Sequence, residues 1–125
     1  KPDRIHELWA HVDLLIGTIE VLRLWSGCYT PMAMAESALR AGVRQVVIKM
    51  GSEGAAYQSD TEPFTHQSAC PVNRAGLSIG AGDAFNGALV AALARGKSMS
   101  VAVSQSQQVA AKVVESGCGV LGWSE

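Results

Sequence analysis

The chain has 125 residues and a mass of 13.1 kDa, room for one domain at roughly 100–200 residues per domain. It is 48% apolar and 17% charged, which excludes disorder, and 4 Pro with 13 aperiodic Gly exclude collagen and mucin-like stalks. Its 10 Lys and Arg against 11 Asp and Glu leave a net charge of −1, without the basic patch that nucleic acid or an anionic membrane surface requires.

The opening Lys1-Pro2-Asp3-Arg4 carries no initiator Met and no apolar stretch of a signal peptide. The expectation is a cytoplasmic protein whose sequence begins inside a longer one. Val12–Ile16 is a short apolar run ending at Gly17, the pattern of a buried strand. Thr18 is placed to cap a helix through about Leu24, which Ser26-Gly27 ends. Thr30-Pro31 has the cap-then-proline order of a helix start, and Met32, Ala35, Ala38 and Leu39 share a face before Gly42 closes it.

Val46-Val47-Ile48 is β-branched throughout, with Gly51 and Gly54 punctuating its end, and Ala55–Gln58 reads as its partner strand before a turn at Ser59-Asp60. One or two short strands are expected over 63–72. Gly80–Asp83 then leads into a helix reaching Leu93 or Ala94. It is apolar nearly all round, so burial on several sides is expected. The charge-free run Ala84–Ala94 falls far short of the roughly 20 residues a bilayer span needs. Arg95-Gly96-Lys97 ends that helix with cations and a C-cap glycine. Ser98 or Ser100 starts a last helix, Val101 to about Glu115, which Gly117 stops. Strands alternating with helices predict a three-layer α/β/α arrangement on a mainly parallel sheet. With only three or four strands, the pattern is that of part of a larger domain.

Scattered residues give little. Cys28, Cys70 and Cys118 are an odd set without a C-x-x-C, so reduced, partly buried thiols are expected. His6, His11 and His66 are too dispersed for a metal triad, and no metal ligands are assigned. Trp9, Trp25 and Trp123 read as packing anchors, the four methionines as gap-fillers, and the glutamines at 105, 107 and 108 as a solvated helix face.

The chemistry concentrates in Gly80-Ala81-Gly82-Asp83-Ala84-Phe85-Asn86-Gly87. Two glycines around an alanine let the backbone turn N–H groups inward, and the helix adds its positive pole, so Gly80, Ala81 and Gly82 suit an anion such as phosphate. Taken alone, so short a glycine motif is weak, and Asp83 reads first as a residue that caps a helix after a glycine turn. A dinucleotide-binding fold is a poor fit, because no G-x-G-x-x-G follows the first strand.

Gly80–Leu89 resembles the C-terminal signature of the ribokinase-like (PfkB) carbohydrate kinases. The resemblance extends in order through Val12–Ile16, Val46–Ala55 with its G-x-x-G-A, and Ala94–Met99 with the helix after it, and so covers nearly the whole chain. It implies that residues 1–125 are the C-terminal, nucleotide-side part of a kinase that uses ATP and Mg2+ to phosphorylate a sugar or sugar-acid hydroxyl. It implies Asp83 as catalytic base and the N–H groups at Gly80, Ala81 and Gly82 as anion hole. Lys49, Gly51, Ser52, Glu53, Gly54 and Gly82 would line the nucleotide, between the Gly51–Gly54 loop and the Gly80 helix. The partners implied are a small-molecule sugar and ATP, with no nucleic acid and no membrane, and a homodimer as candidate assembly.

The pattern also departs from the family. Its N-x-x-E motif falls at Thr18 and Val21, with Glu20 one residue off, and its Asp-Thr before the glycines is replaced by Leu77-Ser78-Ile79. These departures keep a second reading open: a catalytically inactive nucleotide-binding remnant or partner module. Some segments are nearer 5-dehydro-2-deoxygluconokinases and others ribokinase, so the sugar stays open.

Overall fold

The computed structural model describes residues 9–71 and 80–116. The expectations for Leu77-Ser78-Ile79, Gly117, Cys118, Trp123 and His6 lie outside the described residues. Two compact units divide the chain, Lys1–His66 and Gln67–Glu125.

The first unit is built on strands β1 (Leu14–Thr18), β2 (Gln45–Lys49) and β3 (Ala55–Ser59), with a short β4 (Thr65–Gln67) next in the sheet order β1-β2-β3-β4. Helices α1 (Ile19–Ser26) and α2 (Pro31–Arg40) connect β1 to β2. The caps form where the side chains offer them. Thr18 Oγ1 accepts the Val21 N–H at 3.3 Å and Thr30 Oγ1 the Ala33 N–H at 3.2 Å. Pro31 opens α2, and Gly27 ends α1 in the left-handed conformation.

β1 runs parallel to β2, with Leu14 opposite Gln45 and Thr18 opposite Lys49. A parallel pair needs a crossover, and α1 and α2 supply it. β2 and β3 are antiparallel, with Lys49 opposite Ala55. The expectation of a mainly parallel sheet is therefore corrected. Gly51–Gly54 is too short for a crossover and reverses the chain into a hairpin instead. β1 also starts two residues later than the apolar run suggests, because its limits follow its pairing with β2 rather than local hydrophobicity.

The core of this unit joins Leu22, Met34, Ala35, Ala38, Val43, Val46 and Ile48, all buried. Ala35 and Ala38 bring α2 close to β2 and β3. Each large side chain removed from water there contributes roughly 1.5–3 kcal/mol. Val46 and Ile48 alternate with Val47, which is also fully buried, so both faces of β2 are dry. The face of α2 is rotated from the expected one: Met34 takes the core position, and Met32 is 58% exposed. Trp9 and Trp25 meet edge to face, ring centroids 4.9 Å apart, as packing anchors do.

The second unit holds α3 (Ala81–Ala94) and α4 (Met99–Ser116), which pack on each other. α3 buries one stripe, Phe85, Leu89 and Ala92, while Val90 is 52% exposed. Burial on several sides is not what this helix shows. The i, i+4, i+7 stripe is the ordinary one of a helix seated on one partner. Ser98 starts α4, its Oγ accepting the Val101 N–H at 3.2 Å. Met99, Ala102, Val103 and Val113 are buried on α4. Ser106 is buried with them, its hydroxyl donating to the Ala102 carbonyl at 2.7 Å. Gln107 departs from the solvated face expected for it. It is half-buried, and its Nε2 donates to the carbonyls of Gln67 and Ser68 at 3.2 and 3.1 Å. Among the described residues no helix is long and apolar enough to cross a membrane.

Candidate functional site

The residues expected to carry chemistry lie in two places, one in each unit. In the first unit, β2 ends at Lys49 and the chain turns through a single 3-10 turn, Gly51–Glu53. Gly51 has φ +59° and Gly54 has φ +95° with ψ −142°, a combination that side chains oppose and glycine tolerates. This is why the turn needs glycine at both ends. A Cβ added at Gly51 would meet nothing within 4 Å, so the space around that backbone is open.

Three main-chain bonds close the turn: Met50 N–H to the Gly54 carbonyl at 2.8 Å, Glu53 N–H to Met50 at 3.0 Å, and Gly54 N–H to Gly51 at 3.0 Å. Gly51, Ser52 and Glu53 are exposed at its tip, whereas Gly54 is buried and Lys49 half-buried. The parallel register sets Thr18 opposite Lys49, so the N-terminus of α1 opens at the same sheet edge as the glycine turn. Brought together at this carboxyl edge are Thr18, Lys49 and the Gly51–Gly54 turn. Open α/β sheets hold their ligands outside such an edge.

Thr18 and Val21 are both exposed, Val21 by 59%, and neither carries a charge. Glu20, next to them on α1, is also exposed. The acid that the N-x-x-E pattern would supply at this edge is replaced by an aliphatic side chain.

In the second unit, Gly80 is the N-cap of α3, with φ +87°. Having no side chain, it offers no capping oxygen. The Ala84 N–H to Gly80 carbonyl bond of 2.9 Å is the first of the helical ladder. The first turn of an α-helix directs its N–H groups outwards along the axis, where they and the dipole favour an anion. Ala81 is half-buried, and Gly82 and Asp83 are exposed. Asp83 therefore stands as an accessible carboxylate in the first turn of a helix whose cap is glycine.

One residue beside the glycine turn carries no local sequence signal. His66, in β4, is exposed, and its Nε2 lies 2.6 Å from the carbonyl oxygen of Glu53. The contact spans 13 positions of sequence and depends on the β3–β4 fold-back, which no spacing rule announces. Among the described residues no group of three His, Cys, Asp or Glu is placed to hold a metal ion. Cys28 and Cys70 are free thiols, each half-buried.

The family model of pfkB family carbohydrate kinases matches residues 1–121. The chain is 31% identical over 112 residues to the 2-dehydro-3-deoxygluconokinase of Bacillus subtilis (strain 168), covering 89% of this chain and 34% of the relative. Among solved structures it is similar to ribokinase from Thermotoga maritima, with TM-score 0.77 and 32% identity over 88% of this chain and 38% of that one. It is also similar to Arabidopsis thaliana ribokinase complexed with ribose and ATP, with TM-score 0.83 and 26% identity over 94% of this chain and 39% of that one. The chain thus spans between a third and two fifths of the length of these relatives. The fold is ribokinase-like α/β, and the chain belongs to the pfkB family of carbohydrate kinases.

Proposed function

We propose that the polypeptide carrying this chain transfers the γ-phosphoryl group of ATP to a hydroxyl of a sugar or sugar acid, and that these residues form its nucleotide side. The observation that carries the reading is Asp83, an exposed carboxylate in the first turn of a helix capped by Gly80. The substrate class follows the relatives, whose names include a sugar-acid kinase and a ribokinase bound to ribose and ATP.

In this reading the substrate hydroxyl oxygen attacks the γ-phosphorus, the bond from that phosphorus to the β–γ bridging oxygen breaks, and ADP leaves. Asp83 accepts the hydroxyl proton as the new P–O bond forms. The N–H groups at Gly80, Ala81 and Gly82 face the charge on the moving phosphoryl group, a stabilisation that needs no side chain. Lys49, Gly51, Ser52, Glu53, Gly54 and Gly82 are the proposed nucleotide contacts. The open space at Gly51 and the exposure of Gly82 suit the close approach of a ligand to backbone.

Magnesium fits as a passenger of the triphosphate rather than as an ion in a protein cage, since it commonly keeps its waters and bridges phosphates. Bound there, it would neutralise charge on the β- and γ-phosphates. No carboxylate at Thr18 or Val21 contributes to holding it. That substitution supports a second reading, in which the fold binds nucleotide without turnover. A kinase assay on a panel of sugars and sugar acids, run beside ATP titration, separates the two: turnover supports the first reading, ATP binding without turnover the second.

A further inference from the structure

We infer that His66 is a positioning residue for nucleotide binding, acting through the carbonyl of Glu53 to fix the shape of the Gly51–Gly54 turn. The inference rests on the proposal that this turn contacts the nucleotide. The three main-chain bonds that close the turn engage the carbonyls of Met50, Gly51 and Gly54. The Glu53 carbonyl is used by none of them; its partner is His66 Nε2 at 2.6 Å.

The peptide joining Glu53 to Gly54 is therefore held at both ends. Its carbonyl is tied to β4 by His66, and its N–H to the Gly51 carbonyl at 3.0 Å. That plane sets the φ of Gly54, +95°, a residue with no side chain to resist rotation. A carbonyl only accepts, so His66 must carry its proton on Nε2.

Because His66 is exposed and lies outside the core, its loss should loosen the turn without unfolding the unit. The test uses the full-length kinase that carries this chain, with His66→Ala and His66→Gln, the second retaining an N–H donor on a side chain of similar reach. The expected result is a KM for ATP raised about three- to tenfold in His66→Ala. The KM for sugar, kcat and Tm should stay close to wild type, and His66→Gln should recover most of the loss.

An unchanged KM for ATP in His66→Ala overturns the inference. So does a loss that Gln fails to recover, or an equal loss in the KM for sugar. Failure of His66→Ala to fold overturns it as well, because the bond would then serve the fold and not the turn. A separate measurement isolates the underlying reading. If ATP leaves the amide NMR signals of Gly51 and Gly54 unmoved in the wild type, the turn is not a nucleotide contact. If those signals move while His66→Ala binds ATP normally, only the role of His66 fails.

Discussion

Thr18 and Lys49 stand opposite each other at the carboxyl ends of two parallel strands. One register pair thus sets the start of α1 beside the entry to the glycine turn, although 31 positions separate the two residues in sequence. Each has a local task. Thr18 caps α1, and Lys49 closes β2 before the turn. Their adjacency places the first turn of α1 and the glycine turn at one sheet edge.

The cap itself is testable. Thr18→Ala removes the acceptor for the Val21 N–H and should cost about 1 kcal/mol of stability, read by denaturant unfolding, whereas Thr18→Asn should hold nearly all of it. Equal losses in the two variants would show that the hydroxyl is not the stabilising group.

The missing acid at this edge is testable in the other direction. Val21 is 59% exposed, so Val21→Glu places a charge in water at no burial cost. Combined with Thr18→Asn it reproduces the family's pair, and kcat should rise by about tenfold or more if that pair organises the phosphates. An unchanged kcat would show that this edge works without the pair.

Gly51→Val tests the turn through its backbone. A Cβ at this position meets no atom within 4 Å, so the effect expected is that of φ +59° rather than of a clash at Cβ. A β-branched residue in that region costs on the order of 1–3 kcal/mol. Tm should fall and ATP binding weaken, while Gly51→Asn, which tolerates the left-handed region, should be milder. Wild-type ATP affinity in Gly51→Val would remove the turn from the nucleotide contacts.

Gly82→Val should act on binding rather than folding. Gly82 is exposed in the first turn of α3, so a β-branched side chain there would stand in the way of a phosphate approaching that turn. ATP affinity should fall at least about tenfold with Tm within a few degrees, on the scale where a lost close contact exceeds 1.4 kcal/mol. Intact ATP affinity would count against the anion hole at Gly80–Gly82.

Much of this organisation is legible in the sequence because the signals are local. Thr18, Thr30 and Ser98 each accept the N–H three residues on, and Gly27 and Gly51 hold the positive φ that ends or turns an element. What depends on distant partners is not legible in the same way. The direction of β3 follows from a turn too short to cross over, and the two-residue shift of β1 from its register with β2. Met34 rather than Met32 enters the core because the sheet decides which face of α2 is covered. Gln107 and His66 look like ordinary solvated residues until the fold brings backbone carbonyls to them. Asp83 is legible as a candidate because its motif is contiguous.

The measurement that bears most directly on the account is the turnover of Asp83→Asn in the polypeptide that carries this chain, assayed on a panel of sugars and sugar acids beside ATP titration. Asn matches Asp in size and retains hydrogen-bonding capacity at the start of α3, so the fold should survive, but it cannot accept the substrate proton. The account predicts that kcat falls by about 10²–10⁴-fold while the affinity for ATP stays within a few-fold of wild type. Wild-type turnover in Asp83→Asn would contradict it and leave Asp83 as a first-turn helix residue with no part in the chemistry.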